Sequence, residues 1–228
     1  MLTLEKIKIR GALVPKEIPI VAKVGQFSEW PVVIVDVYTK EGIVGSSYLE
    51  PYVKDSVGAI DSFAKIAENF FKDKVISPFN FYETALKTFH LSGREGITII
   101  TLAGIDMAIW DALGKSLDTP LVTLLGGEPG PIRAYNTNGL WLVPPEKIEE
   151  QASYLVNQGN FNALKIRLGR DKLADDIEAI SRVRKAVGED IILMSDFNQG
   201  YTLGEAQIRM KDLDDQDLYW FEEPIVYD

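Results

Sequence analysis

The chain has 228 residues, of which 46% are hydrophobic and 25% are charged, as is usual for soluble globular proteins. Its 34 Asp and Glu residues outnumber its 24 Lys and Arg residues, and the formal net charge of −10 argues against nucleic-acid and anionic-membrane partners. Cysteine is absent and His90 is the only histidine, so thiolate and histidine-rich metal sites are excluded. Any metal ion must therefore be held by oxygen atoms.

Alternating and β-branched residues predict an antiparallel sheet at the start of the chain. The predicted strands are residues 2–9, 32–38 and 43–49. The segment 15–30, between the first two strands, is predicted to be a long connection. Apolar residues at helical spacing then predict helices that cover this sheet, among them a largely apolar helix over residues 97–117.

Pro and Gly residues gather in the segment 119–131 and predict a domain boundary. We expect an α+β domain over residues 1–128 and a second domain over residues 129–228. The N-terminus lacks the basic and apolar regions of a secretory signal, and the apolar stretch 97–110 is too short to cross a bilayer. These features predict a cytoplasmic protein without a membrane partner.

The second domain is predicted to alternate strands and helices with a period of about thirty residues, which is typical of a parallel sheet or a (β/α) barrel. The predicted strands are 132–137, 163–168, 191–198 and 218–222, and the predicted helices are 146–158, 172–187 and 203–213. A closed eight-unit barrel needs about 250 residues. The residues after the boundary suffice for about half of such a barrel.

Charged residues stand at the carboxyl ends of three of these predicted strands. Lys165 and Arg167 share one face of a strand, as do Asp196 and Asn198, because residues two apart in a strand point the same way. Glu222 ends the next strand. Unpaired charges are costly inside a core, so these side chains must meet at a solvent-filled mouth or around an ion.

Two interpretations of this cluster are open from the residues alone. Asp196 and Glu222 can be ligands of Mg²⁺, which prefers carboxylate oxygens, with Lys165 beside a bound anion. Alternatively, Lys165 and Arg167 neutralise the two acids in an ion-pair ring without a metal ion.

Four segments of the sequence resemble one enzyme family. They are GIVGSSYLEPY (42–52), AGIDMAIWDALGKSLDTPLVTLLGG (103–127), LMSDFNQ (193–199) and WFEEP (220–224). In order and spacing, the chain is similar throughout to the mandelate racemase and muconate lactonising enzyme family of the enolase superfamily, especially to its mandelate racemase branch. The resemblance implies an α/β fold in which an N-terminal α+β capping domain precedes the first half of a modified (β/α)7β TIM-type barrel.

The resemblance also implies the composition of the site. Asp196 and Glu222 match the first two Mg²⁺ ligands, and Asn198 matches a residue that hydrogen-bonds near the metal or the substrate. Lys165 matches the first lysine of a Lys-x-Lys motif, whose charge helps to neutralise the substrate carboxylate. The expected substrate contacts in the segments that match the family's specificity loops are Lys23, Tyr48 and Tyr52.

The chain departs from the family pattern in two respects. Arg167 stands where the family has a second lysine, normally the general base, and a guanidinium binds an anion more readily than it accepts a proton. The family's third metal carboxylate and its His–Asp pair lie on strands that follow the fourth, beyond Asp228. We therefore expect little or no turnover from this chain alone. Structural roles are expected for His90, Asp106, Trp110, Asp111 and Lys115.

The function implied by the resemblance is that of a Mg²⁺-dependent racemase or dehydratase. Such an enzyme abstracts the proton α to the carboxylate of a 2-hydroxy acid or sugar acid and forms an enediolate. Arg167 favours dehydration over two-base racemisation, and a muconate-type cycloisomerase is a third candidate. The implied partners are a small carboxylic acid and further copies in a homo-oligomer. The alternative is a non-catalytic half-barrel that self-associates through its strand edges.

Overall fold

A computed structural model describes residues 1–227 and divides the chain into two units. The first unit comprises Met1–Pro15 and Glu29–Pro131, and the second comprises Lys16–Ser28 and the chain from Ile132 onward. Each unit has its own cluster of buried hydrophobic residues. An antiparallel sheet with helices is followed by a parallel sheet with helices, so the predicted α/β fold class is confirmed. The domain boundary after residue 128 stays a prediction.

The antiparallel sheet has four strands in the order β3-β2-β1-β4. They are β1 (Leu2–Ala22), β2 (Gly25–Thr39), β3 (Val44–Leu49) and β4 (Val75–Ile76). The prediction of a long connection over residues 15–30 is wrong, because β1 and β2 take up most of it and only Lys23 and Val24 form a turn. Pro15 and Pro19 both lie within β1, where the φ angle that proline imposes fits an extended strand.

Four helices belong to the first unit. They are α1 (Ser56–Phe71), α2 (Pro78–Thr88), α3 (Ile97–Ser116) and α4 (Leu121–Leu124). Helix α3 approaches β3 closely because Gly104 has no side chain; a Cβ atom there would lie 2.7 Å from Leu49 Cδ1. The apolar stretch 97–110 was expected to be too short to cross a bilayer, but α3 continues to Ser116 and by length and composition alone could do so. Half of its apolar window is buried inside the protein, as is also found in core helices of soluble proteins.

The parallel sheet of the second unit has the order β5-β6-β7. Its strands are β5 (Ala163–Arg167), β6 (Ile192–Asp196) and β7 (Phe221–Glu222), and its helices are α5 (Ile148–Asn157), α6 (Leu173–Val187) and α7 (Leu203–Leu213). The predicted strand 132–137 is wrong, because only Asn136 forms a bridge to β5. The Asn136 side chain accepts the Asn138 N–H and so turns the backbone away from the sheet.

The helices that follow β5 and β6 begin and end at clear sequence signals. Thr202 and Glu205 form a reciprocal capping box at the start of α7. Helix α6 has Asp175 and Asp176 in its first turn, where the helix dipole favours negative charge, and it ends at Gly188 with φ 82°. These fixed helix starts keep the loops after β5 and β6 short, and those loops border the candidate site.

Candidate active site

The parallel sheet brings four charged side chains to its carboxyl edge. Arg167 pairs in register with Asp196, and Asp196 pairs with Glu222. Lys165 lies two residues before Arg167 and therefore on the same face of β5. The structure therefore brings together Lys165, Arg167, Asp196 and Glu222, as the sequence predicted.

The Lys165 ammonium lies between two carboxylates. Its Nζ is 3.0 Å from Asp196 Oδ2 and donates a hydrogen bond of 2.6 Å to Glu222 Oε1. The Lys165 side chain is only 7% exposed, so these carboxylates replace most of the water that an ammonium normally binds. The centroid of the Tyr135 ring lies 5.8 Å from the same Nζ. One cation therefore touches both acids.

Arg167 is held by contacts on several sides. Its Nη1 donates a 2.5 Å hydrogen bond to Thr137 Oγ1, and its guanidinium carbon lies 4.2 Å from the centroid of the Trp141 ring. Its Nε lies 3.4 Å from Asp196 Oδ2, a charge contact without hydrogen-bond geometry. Burial lowers the pKa of Arg167, while the charges of Asp196 and Glu222 oppose that shift. The guanidinium still remains charged in proteins, so it can hold an anion but not accept a proton.

Asn198 does not share a strand face with Asp196, so that expectation is wrong. Strand β6 ends at Asp196, and Asn198 follows in the left-handed region with φ 47°. The physical reason is a local hydrogen bond of 2.9 Å from the Asn198 N–H to Asp196 Oδ1, which turns the chain. The Asn198 amide donates instead to Glu223 Oε1 at 3.3 Å, and Gln199 Nε2 donates to Glu223 Oε2 at 2.9 Å.

Asp176 fixes the loop that follows β5. This fully buried carboxylate accepts the backbone N–H groups of Gly169 and Arg170, each at 3.1 Å, and a 3.2 Å hydrogen bond from Arg170 Nη1. Burial raises the pKa of Asp176, and the hydrogen bonds from Arg170 and Gly169 oppose the rise. Sequence alone does not reveal this role, because an acid in the first turn of a helix already has an ordinary explanation.

Three neighbours of the charged cluster were missed from the sequence. Tyr135 and Thr137 lie two residues apart in the segment predicted as a strand, and this alternation could have placed them beside Lys165 and Arg167. Trp141, which stacks on Arg167, lies in irregular chain, where no sequence periodicity points to it.

The three predicted substrate contacts are divided between the two units. Lys23, in the second unit, has its Nζ 3.5 Å from Asp171 Oδ1. Tyr48 and Tyr52, in the first unit, are 63% and 68% exposed, and the Tyr52 ring packs edge-on against the Trp30 ring at 5.6 Å. Substrate contact by Lys23, Tyr48 or Tyr52 stays a prediction.

Three of the residues expected to have structural roles make local hydrogen bonds within the first unit. Asp111 Oδ2 accepts the Ser46 N–H and a hydrogen bond from Lys115 Nζ, both at 2.7 Å, and so ties α3 to β3. His90 is exposed, with its Nδ1 3.1 Å from the Lys87 carbonyl oxygen at the end of α2.

The donor atoms of the cluster suit Mg²⁺ in part. Within residues 1–227, no group of three or more His, Cys, Asp or Glu side chains is gathered around one point. Asp196 and Glu222 nevertheless place carboxylate oxygens on adjacent strands, close enough for Lys165 Nζ to touch both. Mg²⁺ is commonly bound through one or two carboxylates and keeps water or substrate oxygens at its remaining positions. Two of its ligands can therefore come from this pair.

Comparison with known proteins identifies the family. Residues 5–126 match the family described as mandelate racemase / muconate lactonizing enzyme, N-terminal domain, and residues 147–228 match the enolase C-terminal domain-like family. The chain belongs to the mandelate racemase and muconate lactonizing enzyme family. The resemblance stated from the four sequence segments is therefore confirmed.

Members of this family with known activity include acid-sugar dehydratases. The chain is 37% identical over 138 residues to arabinonate dehydratase of Saccharolobus solfataricus, a match that covers 60% of this chain and 37% of that protein. Other related members are named as dehydratases of further sugar acids, racemases and epimerases. The relatives that the chain resembles are thus enzymes of the isomerase and dehydratase type.

Solved structures of the family share the fold closely. An enolase from alpha proteobacterium bal199, with bound magnesium, has a TM-score of 0.95 and 40% identity, and the match covers 100% of this chain and 64% of that one. An enolase from Bradyrhizobium, in complex with magnesium and mandelic acid, has a TM-score of 0.90 and 32% identity, covering 99% and 62%. The chain therefore spans less than two thirds of the length of these relatives.

Proposed function

We propose that Lys165, Asp196 and Glu222 form part of a Mg²⁺-dependent active site for acids that carry a 2-hydroxy group, including sugar acids. The reaction is transfer of the proton α to the carboxylate to a base outside this cluster, because Lys165 binds as an ammonium and Arg167 does not accept protons. The observation that carries this proposal is the Lys165 ammonium between two carboxylates at the ends of neighbouring strands. The named activities and the magnesium of the family members support it.

Each residue of the cluster has a distinct role in this proposal. Asp196 and Glu222 hold Mg²⁺, which when bound supplies positive charge against the negative charge that develops on the substrate carboxylate. Lys165 binds the substrate carboxylate. Asn198, held by Glu223, borders the same strand end and is suited to hydrogen-bond a substrate oxygen.

Arg167 directs the proposed reaction towards dehydration. Two-base racemisation needs a proton acceptor on each side of the α-carbon, and a guanidinium does not provide one. Fixed by Thr137 and Trp141, Arg167 is placed to hold a second anionic or hydroxyl group of the substrate. A dehydratase acting on a polyhydroxy acid therefore fits Arg167 better than a simple racemase does.

Magnesium binding tests the metal part of the proposal. We expect Mg²⁺ at about one hundred times its dissociation constant to stabilise the 228-residue chain by about 2.7 kcal/mol, measured as a rise in melting temperature. The variants Asp196→Asn and Glu222→Gln should lose this rise because each removes a ligand charge. Glu83→Gln, which alters a surface pair with Lys87, is the matched control and should retain it.

Two outcomes would contradict the proposed metal site. One is a parent chain whose melting temperature does not respond to Mg²⁺. The other is a response that Asp196→Asn leaves unchanged.

Deuterium exchange at the α-carbon of a 2-hydroxy acid tests the proposal that Arg167 does not act as the base. We expect the chain, incubated with Mg²⁺ and mandelate in deuterated water, to incorporate little or no deuterium at the α-carbon, as measured by NMR. The reason is that Lys165 is engaged as an ammonium and Arg167 does not accept protons. Ready deuterium incorporation that disappears in Arg167→Met would show that Arg167 takes part in proton removal.

A further inference from the structure

The contacts of Lys165 place a cation where the proposed metal ion belongs. Its Nζ lies 3.0 Å from Asp196 Oδ2 and 2.6 Å from Glu222 Oε1, so the ammonium bridges the two carboxylates. A metal ion shared by these acids would need the same oxygens. An ammonium and a metal ion held by these two acids would therefore compete for their oxygens.

Lys165 and Arg167 differ in their freedom to leave this position. Arg167 is fixed by its stacking on Trp141 and by its hydrogen bond to Thr137. Lys165 makes its polar contacts through Nζ alone, and that atom sits on a flexible four-carbon stem. Lys165 is therefore the cation that can move when another cation arrives.

Two cations, Lys165 and Arg167, face the carboxylates of Asp196 and Glu222 in this cluster. Asp196 is only 2% exposed, whereas the Glu222 side chain is 35% exposed and Glu223 is held beside it by Asn198. A divalent cation bound by the two acids would add positive charge beside both cations, and this added charge would favour the binding of an anion. A displaced ammonium beside that metal ion is well placed to bind the carboxylate of an acid.

We propose that Lys165 occupies the metal position in the metal-free protein and becomes available to the substrate carboxylate only when Mg²⁺ displaces it. This inference rests on the proposed function, because it takes Asp196 and Glu222 as the Mg²⁺ ligands. It makes binding ordered, with Mg²⁺ first and the acid second. By reciprocity, a bound acid must also tighten the binding of Mg²⁺.

Isothermal titration with Mg²⁺ alone tests the competition. We expect Lys165→Met to bind Mg²⁺ about tenfold more tightly than the parent chain, because the competing charge has gone. Lys87→Met removes the same charge from an exposed surface pair with Glu83 and should leave the affinity unchanged. Unchanged or weaker Mg²⁺ binding by Lys165→Met overturns the inference.

Titration with mandelate tests the order of binding. The parent chain should bind mandelate measurably only when Mg²⁺ is present, and Lys165→Met should bind it weakly even with saturating Mg²⁺. Equal mandelate binding by the parent chain with and without Mg²⁺ would overturn the ordered scheme.

A chemical probe on the unaltered protein avoids dependence on a folded variant. Lys165 is 93% buried in its ion pairs, so we expect its acetylation by an amine-reactive ester, followed by mass spectrometry, to rise several-fold on Mg²⁺ addition. Lys185, which is 72% exposed, is the internal control and should not change. Acetylation of Lys165 that does not respond to saturating Mg²⁺ overturns the inference.

Asp196→Asn separates the two possible failures. If the parent chain binds Mg²⁺, Asp196→Asn does not, and Lys165→Met behaves like the parent, the metal site stands and the inference about Lys165 fails. If neither the parent chain nor Lys165→Met binds Mg²⁺, the proposed metal site itself fails, and the inference fails with it.

Discussion

Arg167 shows how one residue can change the chemistry of a familiar position. The resemblance predicts that Arg167 replaces the family's second lysine, and in the structure its planar guanidinium stacks on Trp141 and donates to Thr137. A lysine ammonium has neither the flat surface nor the fork of donors that these two contacts use. The surroundings of residue 167 are therefore built for arginine.

Replacing Arg167 by lysine should destabilise the protein although the charge is kept. We expect Arg167→Lys to lower the free energy of unfolding by about 1–3 kcal/mol, the sum of a lost cation–π contact and a weakened hydrogen bond. Urea denaturation measures the change. Arg94→Lys, at an exposed position between α2 and α3, is the control and should stay within about 0.5 kcal/mol of the parent chain. Equal effects of the two substitutions would contradict this reasoning.

Tyr201 gives the fold a pH dependence in the alkaline range. Its Oη is buried without a hydrogen-bond partner among residues 1–227, and burial, followed by the charge of Asp176, raises its pKa to about 12. Because the folded pKa lies above the ordinary value of 10.0, the fold favours the neutral phenol, and this contribution is lost as the pH rises from 10 through 12.

Comparison with Tyr201→Phe isolates the effect of Tyr201 ionisation on stability, because phenylalanine has no phenol proton to lose. We expect the parent chain to lose stability relative to Tyr201→Phe between pH 8 and about pH 11, as measured by urea denaturation at both values. A difference between the two proteins that is independent of pH would rule out titration of Tyr201 in this range.

The residues of the site were predictable to different degrees. Lys165 and Arg167 share a face through the two-residue period of a strand, and Asp196 and Glu222 follow from parallel pairing. Asn198 does not follow, because a side-chain hydrogen bond ends the strand before it. Local hydrogen bonds of this kind compete with strand periodicity and are not visible in an apolar pattern.

At the scale of elements, the segment 15–30 was predicted as a connection, whereas β1 and β2 take up most of it. Pro15 and Pro19 lie within β1, because the φ angle of proline fits an extended strand. The opposite error occurred at 132–137, where an apolar run predicted a strand and the side chain of Asn136 turned the backbone after one bridge. Local backbone geometry decided both elements.

Gly200, in the loop after β6, accommodates the turn of the β1–β2 hairpin. A Cβ atom there would overlap the Lys23 side chain and lie 3.0 Å from the Phe197 carbonyl oxygen. We expect Gly200→Ala to lower the free energy of unfolding by about 1–3 kcal/mol, because the backbone has to shift. Thermal or urea denaturation measures this loss.

Gly204 provides a matched comparison for Gly200. It lies at the start of α7, and no atom is within 4 Å of a Cβ built on it. Gly204→Ala should therefore stabilise the protein by up to about 1 kcal/mol through helix propensity. The prediction for Gly200 is refuted if both alanine variants shift stability in the same direction.

At the scale of the whole molecule, both units have a hydrophobic core, but the charged cluster lies in only one of them. The first unit buries a core of strand and helix residues, whereas Lys165, Arg167, Asp196 and Glu222 all belong to the second unit. The sequence predicted this order of sheet types because each type has its own apolar period. Homo-oligomerisation, self-association through strand edges and a cytoplasmic location stay predictions, since sequence patterns fix local structure better than they fix partners.

Because each unit has its own hydrophobic core, we expect a cavity in one core to destabilise mainly that unit. Leu102 of α3 is fully buried in the first core, and Leu164 of β5 is fully buried in the second. Each leucine-to-alanine change should cost about 2–5 kcal/mol and lower hydrogen-exchange protection mainly in its own unit, because contiguous cores open as cooperative units.

Magnesium should rescue only one of these two variants. Its proposed ligands are the last residues of β6 and β7, so Mg²⁺ should stabilise the folded form of the second unit by mass action and restore protection there in Leu164→Ala. It should leave the exchange of the first unit in Leu102→Ala unchanged. Hydrogen exchange with mass spectrometry resolves the two units by peptide. Equal rescue of both variants would show that the two cores unfold as one and that Mg²⁺ acts on the whole chain.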